Sequence, residues 1–419
     1  MARPKSTPVS DIDDITQSLI GDLNKEGTGS KAYLQGEHAE HTWGPLIPHL
    51  AFQWLVGGIN VLPSQRHIGI SGLPKSFKST LLMDIGNWYL RAGGMHIALD
   101  NEGKTSASML DAMTAYDPEI AKLAGTRRIF KETNSVEEWQ SMVTAAIKRA
   151  KKVADRPKGQ RIPILITIDS LNGKSSDATA EKIKKEGSAD ARAFPVEAAQ
   201  ITRFFKGTGL IGTTANIGYV QHLVQDLGAP PGYGGPAYKE SGAAISSYQG
   251  SVHLRVRKGS AYDKATHPAA RVEGPPVEGY TLWLQTERSC LGPDHRQLGV
   301  DVLWQYTEKE DGTMQQLMWY DWDGALGRLL VEMLINDKML HAFDRDRLKA
   351  TLAFTQPKTN EVKCPELNLE GVSLTEFGKA VRSNPEVLEK VTKFLRIFKY
   401  PDIQEADVEL GGGEEDEAK

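Results

Sequence analysis

Residues 71–80 read SGLPKSFKST, and their types and spacing suit the grip of a polyphosphate. A glycine, four residues, a second glycine, a lysine and a hydroxyl residue let backbone N–H groups and a helix N-terminus wrap phosphate oxygens. Gly72, Lys78 and Ser79 stand at their required positions, while Phe77 stands where the second glycine belongs. The candidate nucleotide-binding segment is therefore Gly72, Leu73, Pro74, Lys75, Ser76, Phe77, Lys78, Ser79 and Thr80. Lys78 would neutralise the outer phosphates and the Ser79 hydroxyl would ligate Mg²⁺. Phe77 is compatible with this if an L-residue can reach its backbone torsions and its ring turns from the phosphates. The competing reading is an ordinary helix start with a lysine near it.

Three other positions could share that chemistry. Asp169 closes the apolar run IPILITID, and an acidic residue at such a strand end holds the metal of a nucleotide, usually through water. Ser170 after it reads as a structural hydroxyl. Glu102 in ALDNEGKT can orient and polarise a water for in-line attack on a γ-phosphate; alone, it reads rather as a surface glutamate, and only in combination with the loop and Asp169 does the catalytic reading gain. Gln221 and His222 end NIGYVQH, where a polar pair can contact the γ-phosphate and report it to the segment beyond. The alternative for His222 is a satisfied core or rim histidine.

These residues need an α/β scaffold, and the hydrophobic pattern predicts one. RHIGIS (66–71), MHIALD (95–100), IPILITID (162–169), NIGYVQ (216–221) and SVHLRVR (251–257) read as strands. Helices are expected over 79–92, stopped by Gly93 and Gly94, and over 135–154. The nearly all-apolar 162–169 suits a parallel strand buried on both faces. The expected architecture is a mostly parallel sheet flanked by helices, occupying 46–330. Residues 1–45 are expected to form an arm, with Ser10 capping a helix whose Ile12, Ile15, Leu19 and Leu23 share one face. Residues 331–410, ending in the helical pattern 373–397, are expected as a small helical domain, and 411–419 as an acidic tail.

Composition narrows the function classes. The 419 residues are 40% hydrophobic and 25% charged, as in ordinary globular proteins, and no apolar run nears the roughly 20 residues of a membrane span. MARPKSTPVSDIDD lacks the apolar stretch of a secretory signal, and two cysteines make neither a disulfide framework nor metal-ligand spacing. A reducing cytoplasm is the expected location. The net charge of −4 leaves nucleic acid possible only through local loops. Two long segments qualify. One follows Asp169 and carries Lys174, Lys182, Lys184 and Lys185; the other follows His222 and interleaves glycines, including Gly234 and Gly235, with Tyr233, Tyr238 and Tyr248. A basic loop and a Gly/Tyr loop suit single-stranded nucleic acid, although the first is equally a solvated helical face.

Taken together, these motifs resemble the RecA recombinases, most closely the UvsX-type recombinases of tailed bacteriophages. KSFKS (75–79), with phenylalanine before the lysine, is similar to the UvsX form of the loop. LDNE (99–102) resembles the family's strand-end Asp-x-Glu and implies a catalytic role for Glu102, beside Lys78. IDSL (168–171) implies the metal role of Asp169, and His222 falls where UvsX-like proteins have a histidine and RecA a γ-phosphate-sensing glutamine. The two long segments then occupy the places of the family's DNA-binding loops. LQTERS (284–289) resembles the region whose basic residue reaches a neighbour's ATP, making Arg288 the candidate contact in trans.

The resemblance covers roughly residues 50–330 and implies a RecA-like P-loop ATPase core. It implies a DNA-dependent ATPase that forms helical filaments on single-stranded DNA and exchanges strands with double-stranded DNA in recombination and repair. ATP and Mg²⁺ would be the cofactors, and single-strand-binding and mediator proteins further partners, in a bacterial host's cytoplasm. Two rivals remain: a hexameric helicase of the same superfamily, and a nucleotide-binding scaffold without turnover.

Overall fold

The computed structural model describes residues 44–154, 161–171, 173, 175–186, 193–210, 212–225, 238–240, 251–261, 277–335, 342–358, 361–397 and 399. The expected arm helix, the acidic tail, Lys174, Gly234 and Gly235 lie outside the described residues.

After a short helix α1 (Leu50–Leu55), strand and helix alternate. The order is β1 (His67–Gly72), α2 (Lys78–Arg91), β2 (Met95–Asp100), α3 (Ala107–Ala115), α4 (Pro118–Arg127), β3 (Arg128–Glu132), α5 (Val136–Ala154) and β4 (Ile164–Asp169). Then come α6 (Asp177–Glu186), α7 (Ala193–Gly207), β5 (Ala215–Gln225) and β6 (Tyr238–Glu240). From β7 (Val252–Ala261) the chain runs as an antiparallel meander through β8 (Glu278–Ser289), β9 (Gln297–Glu308) and β10 (Met314–Asp321). The sheet order is β10-β9-β8-β7-β1-β5-β4-β2-β3, with β6 paired to β5. All pairs from β7 to β3 are parallel, so the protein is α/β with a mostly parallel central sheet flanked by helices.

Period-two alternation divides the core. Along β4, Ile164, Ile166 and Ile168 face one cluster with Trp139 and Val143 of α5 and Ile201 and Phe205 of α7. Leu165 faces the other way, into a cluster with Leu81, Leu82 and Ile85 of α2. Both faces of β4 are therefore covered, which is why its sequence is almost wholly apolar. Helix α2 is buried nearly all round, and that seats its first turn rigidly at the end of β1.

The end of the chain departs from expectation. The boundary placed at 330–331 falls inside α8 (Trp322–Ile335), and the expected helical domain also holds a three-stranded antiparallel sheet. That sheet consists of β11 (Thr355–Lys358), β12 (Glu361–Cys364) and β13 (Leu369–Ser373), after α9 (Ala342–Thr351). Strands of four or five residues are too short to show a period. The helical pattern 373–397 divides into α10 (Leu374–Ser383) and α11 (Pro385–Phe394), because Asn384 caps the second helix and Pro385 starts it. Leu348, Phe354, Val362, Phe377 and Val381 join the same apolar cluster as the central sheet. Helices α8 and α10 cross so closely that a Cβ at Gly378 would stand 1.8 Å from the Asp323 carbonyl oxygen.

Candidate functional site

Four adjacent strands, β1, β5, β4 and β2, end on one edge of the sheet and carry the candidate residues. Gly72 pairs in register with His222, and Asp100 with Asp169. At about 4.8 Å between strands, the site spans about 14 Å. The loop, His222, Asp169 and the Glu102 turn thus follow one another in space, although 120 residues separate Glu102 from His222.

The loop from Gly72 folds on itself. Ser76 Oγ donates to the Leu73 carbonyl at 2.7 Å, and Lys78 Nζ donates to the same oxygen at 2.8 Å. Leu73, Pro74 and Lys75 are exposed, Ser76, Lys78 and Thr80 buried. Burial pushes the Lys78 ammonium down to about 8, against the attraction of Asp169 and Glu102. A Cβ at Gly72 would lie 2.6 Å from the Val256 carbonyl oxygen and 2.7 Å from Ser76 Oγ, so only glycine fits there.

Phe77 caps α2 at φ 62° and ψ 26°, the left-handed region. The residue therefore adopts the conformation for which glycine is usual, at a cost of about 1 kcal/mol. Its ring is packed against Tyr280 and Trp304, with centroids 5.9 and 6.0 Å away, and Lys258 Nζ lies 3.4 Å from the Tyr280 centroid. Behind the loop, Tyr320 Oη lies 2.8 Å from Thr80 Oγ1 and donates to the Phe77 carbonyl at 3.2 Å. Those contacts offset the backbone cost.

Glu102 owes its position to Asp100. The buried Asp100 carboxylate accepts from the backbone N–H groups of Glu102 (2.9 Å), Gly103 (2.8 Å) and Thr105 (2.9 Å), which closes the turn. Glu102 Oε1 accepts from Ser170 Oγ at 2.7 Å and from His222 Nε2 at 2.5 Å, while Oε2 accepts from Lys104 Nζ at 2.5 Å. The His222 hydrogen bond, ahead of those from Lys104 and Ser170, holds the carboxyl far below the usual carboxylate range. Those donors favour the ionised carboxylate.

Asp169 is the opposite case. Burial, and then the nearby Glu102 and Asp100 charges, push it up to about 6, with a hydrogen bond from Ser79 opposing. Ser79 and Asp169 are thus joined at the start of α2, a pair of hard oxygen donors that fits Mg²⁺ completed by phosphate and water oxygens. No group of three or more His, Cys, Asp or Glu side chains suited to a metal occurs among the described residues. A cation here would depend on the nucleotide for its remaining ligands.

Other expectations fare differently. Gln221 is fully buried, level with Ser71, and alternation sends it to the opposite face of β5 from His222. Arg288 is exposed and pairs with His253 near the start of β7, at the far edge of the sheet. It does not join the site of its own chain. The basic segment after Asp169 contains helix α6, with Lys182 on it and Lys184 and Lys185 exposed; Lys185 pairs with Glu181 at 3.7 Å. Part of what read as a loop is therefore a helical face. Tyr238 is exposed on β6, which pairs with Leu223–Gln225, so β5 runs on from His222 into a ribbon.

The reading of the sequence missed several contributors. Ser170, read as structural, touches Glu102; Asp100 stood in the Asp-x-Glu motif without a role. Tyr280, Trp304 and Tyr320 lie more than 200 residues from Phe77, and no local signal could have linked them. No helix among the described residues is long and apolar enough to cross a membrane. The chain matches no family model, and no curated protein sequence matches it.

Proposed function

We propose that this chain is an ATP-dependent DNA strand-exchange protein of the RecA kind, closest to the UvsX type, acting as a DNA-dependent ATPase. One observation carries the reading: His222, at the root of the β5–β6 ribbon, is hydrogen-bonded to Glu102, on the turn after β2, the neighbour of the strand that ends in Asp169. A general base, a metal pair, a phosphate loop and a side chain continuous with an extended ribbon then share one edge.

In this reading the loop and the α2 N-terminus hold the phosphates, with Lys78 turned from the Leu73 carbonyl to the outer phosphate oxygens. Ser79 and Asp169 would hold Mg²⁺, which neutralises phosphate charge and orients the terminal group. Glu102 accepts a proton from the water that attacks the γ-phosphorus. His222 exchanges its Glu102 contact for the γ-phosphate, and β5 passes that shift to the segment between β5 and β7, which grips single-stranded DNA. Lys184 and Lys185 contribute phosphate contacts from α6. Arg288, at the opposite edge, suits a contact with the nucleotide of a neighbouring subunit, and a head-to-tail contact that does not close builds a helical filament.

The test is electron microscopy of the protein with Mg²⁺, a non-hydrolysable ATP analogue and single-stranded DNA, beside phosphate-release assays. Helical filaments that Lys78→Ala abolishes, with DNA-stimulated phosphate release, are expected. Closed rings would favour a helicase, and filaments without turnover a scaffold. Filament assembly unchanged in Lys78→Ala would overturn the mechanism.

A further inference from the structure

Lys104 has no role in the mechanism above, yet it occupies the Glu102 oxygen that Ser170 and His222 leave open. This inference rests on the nucleotide reading of the site. Glu102 Oε1 is engaged by Ser170 and His222, which leaves Oε2 to receive a water, and Lys104 Nζ lies 2.5 Å from Oε2. The lysine side chain is 77% exposed and the glutamate 13%, so the cation stands at the mouth of the site and the anion inside it. Gly103, at φ +65°, turns the chain so that Lys104 folds back on Glu102; a Cβ there would meet nothing within 4 Å, so the backbone conformation alone favours the glycine. The Lys104 charge also reaches Lys78, whose ammonium it disfavours.

We propose that Lys104 recognises the terminal phosphate of a nucleoside triphosphate, from the same chain that supplies Lys78. Without ligand it is parked on Glu102. An exposed ion pair is weak, whereas a terminal phosphate brings about two negative charges and three acceptor oxygens. Its charge and acceptor oxygens outcompete the single Glu102 contact and draw Lys104 across. Oε2 of Glu102 is thereby released to accept a hydrogen bond from water, so the base is freed only when a γ-phosphate is present. A diphosphate does not reach far enough to trigger this.

Calorimetry of the full chain with Mg²⁺, using ADP and a non-hydrolysable ATP analogue, tests the proposal in wild type, Lys104→Met and Lys104→Arg. In Lys104→Met the triphosphate analogue should bind roughly tenfold more weakly and ADP less than about twofold, with Lys104→Arg restoring most of the difference. A wild type that binds neither nucleotide sinks the parent reading together with this one. A wild type that binds both, with an unchanged ATP-to-ADP preference in Lys104→Met or an equal loss for both, sinks this proposal alone.

Discussion

Two strand ends that face each other across β4 and β2 carry carboxylates treated in opposite ways. Glu102, after β2, has three hydrogen-bond donors and is held far below the usual carboxylate range, first by His222. Asp169, at the end of β4, is buried beside two like charges with one hydroxyl for relief, and is pushed up to about 6. Neighbours, not residue type, thus set their tasks. A carboxylate saturated with donors is a stable anion that must shed a donor before it can take a water's proton. A buried, under-compensated one gains from an arriving cation, which supplies the charge its surroundings lack.

The contrast is most sharply broken at Glu102. Glu102→Gln should lower DNA-stimulated phosphate release by about 10²- to 10³-fold while binding of the ATP analogue changes little. Parallel losses of binding and turnover would instead make Glu102 a structural residue. Asp100→Ala comes next. It strips acceptors from three backbone N–H groups in a part-buried turn, so unfolding by urea should show a loss of about 2 kcal/mol, and hydrolysis should fall with it. Unchanged stability would mean that the turn does not depend on Asp100.

The third effect is a difference of sign with pH. Because the folded-state value of Asp169 is raised to about 6, its contribution to stability is complete below about pH 4 and lost as pH rises through 6. In EDTA without nucleotide, Asp169→Asn should therefore nearly equal wild type below pH 4 and exceed it by about 3 kcal/mol above pH 6. Glu102→Gln should do the reverse, being less stable than wild type at neutral pH, with the gap closing as acid protonates the wild-type carboxyl. Same-sign curves would refute the contrast. The smallest effect is at Phe77, whose left-handed backbone favours glycine over alanine. Phe77→Gly should be more stable than Phe77→Ala by about 1 kcal/mol in urea unfolding, the inverse of the usual helical order.

Much of this was legible from the chain alone. The runs read as strands at 66–71, 95–100, 162–169 and 216–221 fall on β1, β2, β4 and β5, and the all-apolar core of 162–169 reflects burial on both faces, which is written locally. The residue types of the loop, the Asp-x-Glu turn and the strand-end aspartate were also local patterns. In the antiparallel meander, SVHLRVR (251–257) reads as a strand and falls on β7; β8–β10, with faces only partly covered, and the short strands of the C-terminal segment left no comparable signature. What only the tertiary structure decided was which polar ends meet. Strand order is set by long-range pairing, and it put β5 between β1 and β4, bringing His222 onto Glu102 and leaving Arg288 on β8, beyond β7 from β1. It also placed Tyr280 and Trp304 against Phe77, so that a residue costly for its backbone angle is retained by contacts from the other half of the sheet.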